Sequence, residues 1–249
     1  MPRSPRRASE SGLYHVVARG NGRQNIFEDD ADRRLYLDLL RKEVAARNGD
    51  LLAWCLMDNH VHLLLSMGLD EMSNAVRVAN GCYALSFNRR HGRVGSLFDG
   101  RFWSEPIEDD GYFLDVIRYI HRNPVKAGMT DDCSYQWSSY EKILDDFSSD
   151  DPGVVAAVFE TRDEYERFHR FVGEPFADIE RQWGRLTEDE ARKLANGVAG
   201  VSLHEIKELP RRIRDDRIAR MRAVGLSVRQ IERLTGVGRG IISRVKYRK

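Results

Sequence analysis

The order of strand-like and helix-like segments predicts an α+β fold: a ferredoxin-like, split βαβ domain with an antiparallel sheet, followed by an all-α C-terminal helix-turn-helix region. Three observations carry that expectation. Short runs rich in β-branched and apolar residues lie at 12–19, 51–57, 60–66 and 102–107. Apolar residues at helical spacing fill the longer intervals between them. Beyond these, a cationic tail carries its apolar residues in the pattern of two short helices.

Taken in order, 12–19 (GLYHVVAR) is extended, and Asn21-Gly22 reads as a turn. Over 30–48, Leu35, Leu39, Leu40 and Val44 recur at helical spacing, with acidic residues near the start and Gly49 after the end, which predicts a helix. The pair Asp58-Asn59 separates 51–57 from 60–66, so these runs form a hairpin. Residues 69–91 are helical, 102–107 is a short strand with Pro106 marking an edge or an end, and 112–122 is a further helix. The order β-α-β-β-α-β-α predicts an antiparallel sheet with its helices on one face.

An apolar fraction of 41% over 249 residues supplies a core without covalent staples. Cys55, Cys82 and Cys133 are too widely spaced for a C-x-x-C signature, so they read as reduced thiols, which predicts a cytoplasmic location. The basic start up to Arg7 runs into Ala8-Ser9-Glu10 and not into an apolar stretch, and no apolar run approaches membrane-spanning length. Neither secretion nor membrane insertion is expected. The net charge of +1 conceals a sorting by segment. Residues 1–140 are near neutral, 141–190 hold 6 basic against 15 acidic side chains, and 205–249 hold 14 basic against 5 acidic. A cationic terminal module points to a phosphate-rich partner, or is only a solvated surface.

His60-Val61-His62 opens the second hairpin strand. Side chains at i and i+2 of a strand share a face, so both imidazoles can converge on one divalent ion while Val61 packs behind. The same tripeptide would equally serve as two histidines on a solvated strand face. Zinc lacks the cysteine, third histidine or H-E-x-x-H that would complete a tetrahedral set. A second group is 119–124 (YIHRNP). Phe113, Ile117 and Ile120 share the apolar face of the preceding helix, whereas Tyr119 and Asn123, four apart, lie together on its flank. The helix can thus present a hydroxyl and an amide to a cleft, or it carries a packing tyrosine beside a terminating Asn-Pro. Pro124 disfavours helical geometry at Asn123, which places the amide at the helix end.

Together, 58–64 (DNHVHLL) and 118–128 (RYIHRNPVKAG) resemble the HUH single-tyrosine transposases, specifically the REP-associated tyrosine transposases. The resemblance extends from about Tyr14 to Tyr140 and includes Arg19-Gly20-Asn21, Ile26-Phe27, Trp103 and Trp137-Ser138-Ser139. It implies that His60 and His62 hold a divalent metal and that Tyr119 is the nucleophile. Asn123 stands where a glutamine commonly serves as third ligand, with a side chain one carbon shorter. Tyrosine, with a pKa near ~10, needs a polarised phosphate to attack, and magnesium or manganese suits phosphate oxygens. The resemblance implies a 5′-phosphotyrosine, a free 3′-hydroxyl and later rejoining by a 3′-hydroxyl, without ATP. Arg118, Arg122 and Lys126 are candidates for holding backbone phosphates, or are solvated helix charges.

In the tail, Ser227 is a candidate N-cap for 228–234, and 235–237 (TGV) leads into 239–246. Ile231, Leu234, Val237, Ile242 and Val245 have the spacing of a small helix-turn-helix core. Its second helix would offer Arg239, Arg244 and Lys246 to DNA, or the segment is a generic basic helical hairpin. The expected organisation is an HUH single-tyrosine transposase domain over 1–144, an acidic linker with short helices over 145–204, and a basic helix-turn-helix module over 205–249. The expected partner is single-stranded or hairpin DNA of the repetitive extragenic palindrome type, bound by a monomer or homodimer associated with the nucleoid. Two rival readings are a catalytically retired DNA-binding regulator and a hydrolytic metal-dependent nuclease.

Overall fold

The computed structural model describes residues 6–149, 153–170, 188–224, 226 and 228–245. They fall into two compact units, Met1–Phe176 and Ala177–Lys249. The first contains β1 (Leu13–Arg19), α1 (Asp30–Ala45), β2 (Asp50–Met57), β3 (His60–Ser66), α2 (Leu69–Arg90), β4 (Trp103–Ile107), α3 (Asp110–Lys126), α4 (Tyr140–Asp146) and α5 (Arg162–Arg170). The sheet order is β2-β3-β1-β4 with every neighbouring pair antiparallel, which is the split βαβ topology expected.

Local chemistry accounts for the elements. The chain leaves β1 through Gly20, where an added Cβ would lie 2.1 Å from the carbonyl oxygen of Gln24, so only glycine fits. Helix α1 begins where the Asp29 carboxylate accepts the Asp32 N–H at 3.0 Å. Strand alternation then sorts the sheet. Val16, Ala18, Leu56, Val61, Leu63 and Leu65 face one way, packing with Tyr36, Leu40 and Val44 of α1 and Met72, Val76, Tyr83 and Phe87 of α2. His15, His60 and His62 fall on the opposite face by the same alternation.

Helix α3 covers that opposite face, lying against β2, β3 and β4. The helices therefore sandwich the sheet and do not share one side. The expectation fails because the apolar stripe of α3 matches either face, and the sequence alone does not say that the histidine face is also buried. A second difference is that α3 runs through Pro124 to Lys126. Proline removes the N–H that would reach the carbonyl of Ile120. The turn survives because Pro124 and Asn123 are buried and because Ala127, Gly128 and Met129 donate to Asn123, Val125 and Pro124 at 2.9, 3.0 and 2.9 Å.

The free edge of β2 is covered. Leu56 N–H donates to the Trp137 carbonyl at 2.8 Å, and Ser139 N–H donates to that of Trp54 at 2.9 Å. The Ser139 hydroxyl in turn accepts the Trp54 N–H at 2.9 Å. Residues 137–139 thus act as a short fifth rung.

The second unit contains α6 (Glu188–Ala199), α7 (Arg211–Ala223), α8 (Val228–Thr235) and α9 (Arg239–Arg244). Ala191, Ala195 and Ala199 of α6 share a core with Ile206, Ile218, Met221, Ile231, Leu234, Val237 and Ile242. The segment expected as a linker over 145–204 is therefore divided. Helix α5 belongs to the first unit, whereas α6 supplies core to the second. Gly236, at φ +70, makes the turn between α8 and α9. Ser227 and Lys246 lie outside the described residues. Among the described residues, no helix is long and apolar enough to cross a membrane.

Candidate active site

The antiparallel register assembles the site. Val17 of β1 pairs with His62 and Arg19 with His60, so His15 lies diagonally beside His62 on the same face. The His60 and His62 rings are 4.9 Å apart between centroids and nearly perpendicular. From α3, Tyr119 places its ring edge-on to His62 at 5.2 Å and to His15 at 5.9 Å. Trp103 of β4 closes the edge of His15 at 5.4 Å. Sequence spacing brought His60, His62 and Tyr119 forward, and the fold puts all three in one cluster.

His60 and His62 each have Nδ1 engaged. His60 Nδ1 lies 2.6 Å from Asn59 Oδ1. The amide oxygen can only accept, so His60 carries its proton on Nδ1 and its lone pair on Nε2. His62 Nδ1 lies 3.2 Å from His15 Nε2. Burial holds the imidazoles neutral. It lowers the pKa of His15 to about 3, and that of His60 to about 3 with help from the charge of Arg19. His62 falls well below its usual value through burial, His60, His15 and Arg19. Neutral imidazoles are the form that binds a cation.

The donor set thus fits a divalent cation, with both Nδ1 atoms committed elsewhere, as metal-binding histidines are. The fit is limited to this pair. Among the described residues, no group of three or more His, Cys, Asp or Glu side chains forms a metal-holding cluster. Asn123 is buried, and its amide nitrogen donates to the Tyr119 carbonyl at 2.8 Å, one turn back on α3. The helix therefore ties this side chain to the residue that precedes it by four.

The other candidates divide. Arg118 bonds Asp115 at 2.5 Å and stacks over Phe168 of α5 at 4.6 Å, and Arg122 donates to the His169 carbonyl at 2.7 Å. Both guanidinium groups therefore pack toward α5, while Lys126 is exposed. In the second unit, Arg239 pairs with Glu232, and Arg244 donates to the Gly240 carbonyl at 2.7 Å.

Two arrangements were not legible in the spacing. One is His15, whose only signal was its place on β1. The other is a buried network behind Tyr119. His121 contacts His169 at 2.9 Å and Ser139 Oγ at 2.8 Å, and His169 Nδ1 donates to the Tyr165 carbonyl at 2.8 Å. It pins α3 to both the covered sheet edge and α5.

Comparison with known proteins agrees with this architecture. A curated protein of Haemophilus influenzae, assigned by name to the REP-associated tyrosine transposases, is 29% identical over 90 residues, covering 32% of this chain and 51% of that protein. The chain thus spans about half the length of this curated relative. A solved structure described as a REP-associated tyrosine transposase bound to a REP hairpin shares the fold, with a TM-score of 0.51 and 18% identity over 70% of this chain and 93% of the other. The family model for IS200-like transposases matches residues 8–123, the stretch that carries the sheet, the histidine pair and Tyr119.

Proposed function

We propose that this protein cleaves and rejoins single-stranded DNA beside a hairpin, with Tyr119 as nucleophile. The observation that carries the reading is the packing of Tyr119 at 5.2 Å against His62, within a histidine pair whose Nδ1 atoms are already engaged. The match of residues 8–123 to the IS200-like transposase family model supports it, as does the hairpin named in the description of the structural relative.

In this reading His60 and His62 hold magnesium or manganese through Nε2, with Asn123 the candidate third donor through its amide oxygen. A bound cation would polarise the scissile phosphate and stabilise negative charge on its oxygens in the transition state. The Tyr119 oxygen attacks phosphorus, the P–O3′ bond breaks, and the departing 3′-oxygen takes up a proton as the tyrosine loses one. The product is a 5′-phosphotyrosine ester and a 3′-hydroxyl. Attack by another 3′-hydroxyl reverses the step and releases Tyr119, so bond energy is conserved without ATP. Tyr119 is only 2% exposed, so substrate entry requires displacement of what covers it. Lys126 and, in the second unit, Arg239, Arg244 and Lys246 are the proposed phosphate contacts, with Arg118 and Arg122 able to join only if they leave α5.

The test is incubation of the protein with labelled hairpin DNA and magnesium or manganese, followed by denaturing electrophoresis. A denaturant-resistant protein–DNA adduct is expected. Cleavage without an adduct would favour hydrolysis, and binding without cleavage would favour a DNA-binding regulator.

A further inference from the structure

We propose that His15 is a positioning residue, whose Nε2 lone pair accepts the Nδ1 proton of His62 and so fixes His62 in the tautomer that offers Nε2 to a divalent cation. The inference rests on the metal-assisted reading above and assigns a role to a residue outside the His60-Val61-His62 motif.

The geometry admits two ways to share one hydrogen between the rings. The nitrogens are 3.2 Å apart, and the rings stack at 5.4 Å with 20° between their planes. Both residues are fully buried. If His15 donates through Nε2, His62 must carry its own proton on Nε2, where it blocks a cation. If His62 donates through Nδ1, its Nε2 keeps a lone pair, and the proton of His15 moves to Nδ1. Only the second arrangement is compatible with ligation. His60 has its answer built in, because Asn59 Oδ1 at 2.6 Å can only accept. His15 stands to His62 as Asn59 stands to His60.

The fold holds His15 in that position. Its register opposite Leu64 places it diagonal to His62, and Trp103 packs edge-on against its ring at 5.4 Å. A residue serving only as filler on this face could be any apolar side chain of similar size. The cost of burying the polar ring is offset at Nε2, which meets His62, and not at Nδ1, which has no hydrogen-bond partner among the described residues. Partners of this kind typically alter metal affinity by about 10–100-fold when removed.

Two measurements on the full-length protein test the proposal. In the absence of metal, long-range ¹H–¹⁵N spectra should report His62 as the Nδ1–H tautomer, assigned by comparison with His62→Gln. An Nε2–H tautomer of His62 in the wild type would overturn the proposal without reference to any cation. Manganese binding, followed by electron paramagnetic resonance, should weaken about 10–100-fold in His15→Phe, which keeps a ring but no acceptor, and recover to within a few-fold in His15→Gln, whose amide oxygen can accept. Equal affinity in His15→Phe and wild type would sink the positioning role alone. Absence of manganese binding by the wild type would sink the metal reading, and the inference with it. If His15→Phe does not fold, His15→Gln still decides, because loss of manganese affinity in that folded variant contradicts the proposal.

Discussion

The ring of Tyr119 stands at 87° to the imidazole of His62, with 5.2 Å between their centroids. The contact joins α3, which lies over this face of the sheet, to the strand that carries the histidine pair. It also means that the proposed nucleophile and the proposed metal ligands are positioned by separate elements, so each can be altered without removing the other.

Metal dependence follows from the histidine pair. Cleavage should stop in EDTA and return with magnesium or manganese. His60→Ala and His62→Ala should lower it by at least 100-fold, on the order of 3 kcal/mol at the transition state. Asn123→Ala should act more weakly, because water can replace an amide oxygen, and its stability should change by no more than ~1 kcal/mol with the loss of one side-chain bond to Tyr119. Full cleavage in chelator would remove the cation from the mechanism.

Acid stability should depend on His169. Burial, together with Arg118 and Arg122, lowers its pKa from the ordinary 6.5 to about 4. Above pH 6.5 both folded and unfolded states are neutral, and the stability is fully present. As pH falls from 6.5 toward about 4, the unfolded chain takes up a proton that the folded chain refuses, so stability is lost at up to ~1.4 kcal/mol per pH unit. Urea unfolding at pH 7.5 and 5.0 should show a smaller loss for His169→Gln than for wild type. Parallel losses in the two proteins would show that His169 does not contribute.

The second unit should supply salt-dependent DNA affinity. Arg239→Gln combined with Arg244→Gln should weaken binding across unrelated sequences and reduce the slope of log affinity against log salt by ~1–2, as expected for two phosphate contacts. Both side chains have protein partners, so the slope is the informative quantity and not stability. An unchanged slope would mean that the cationic tail contacts something else.

How far the sequence was legible can be traced through particular residues. Strand period and the Asp58-Asn59 turn placed β2 and β3 within a residue of their observed limits, and the i, i+2 rule put His60 and His62 on one face. His15 was not legible, because its closeness to His62 depends on the register between β1 and β3, a long-range pairing that local pattern does not encode. The end of α3 was misjudged at Pro124, because local preference was outweighed by burial and by the bonds that close the following turn. The residues flanking Tyr119 looked like phosphate ligands on a helical wheel. Helix α5, which arrives more than forty residues later, turns Arg118 and Arg122 into packing partners. Helix α6 escaped for a similar reason, since its alanine face became interpretable only beside the core it completes.

The most direct test of the central claim is adduct formation by Tyr119→Phe on labelled hairpin DNA, with Tyr112→Phe as control. Tyr112 lies two turns earlier on α3, and burial raises its pKa to about 12, which opposes ionisation. The Tyr119 substitution removes one oxygen and keeps the ring against His62 and His15, so folding and DNA binding should persist. Tyr119→Phe should form no adduct, Tyr112→Phe should form it at near wild-type yield, and peptide mapping of the wild-type adduct should place the nucleotide on Tyr119. An adduct that survives in Tyr119→Phe, or that maps to another residue, would contradict the account.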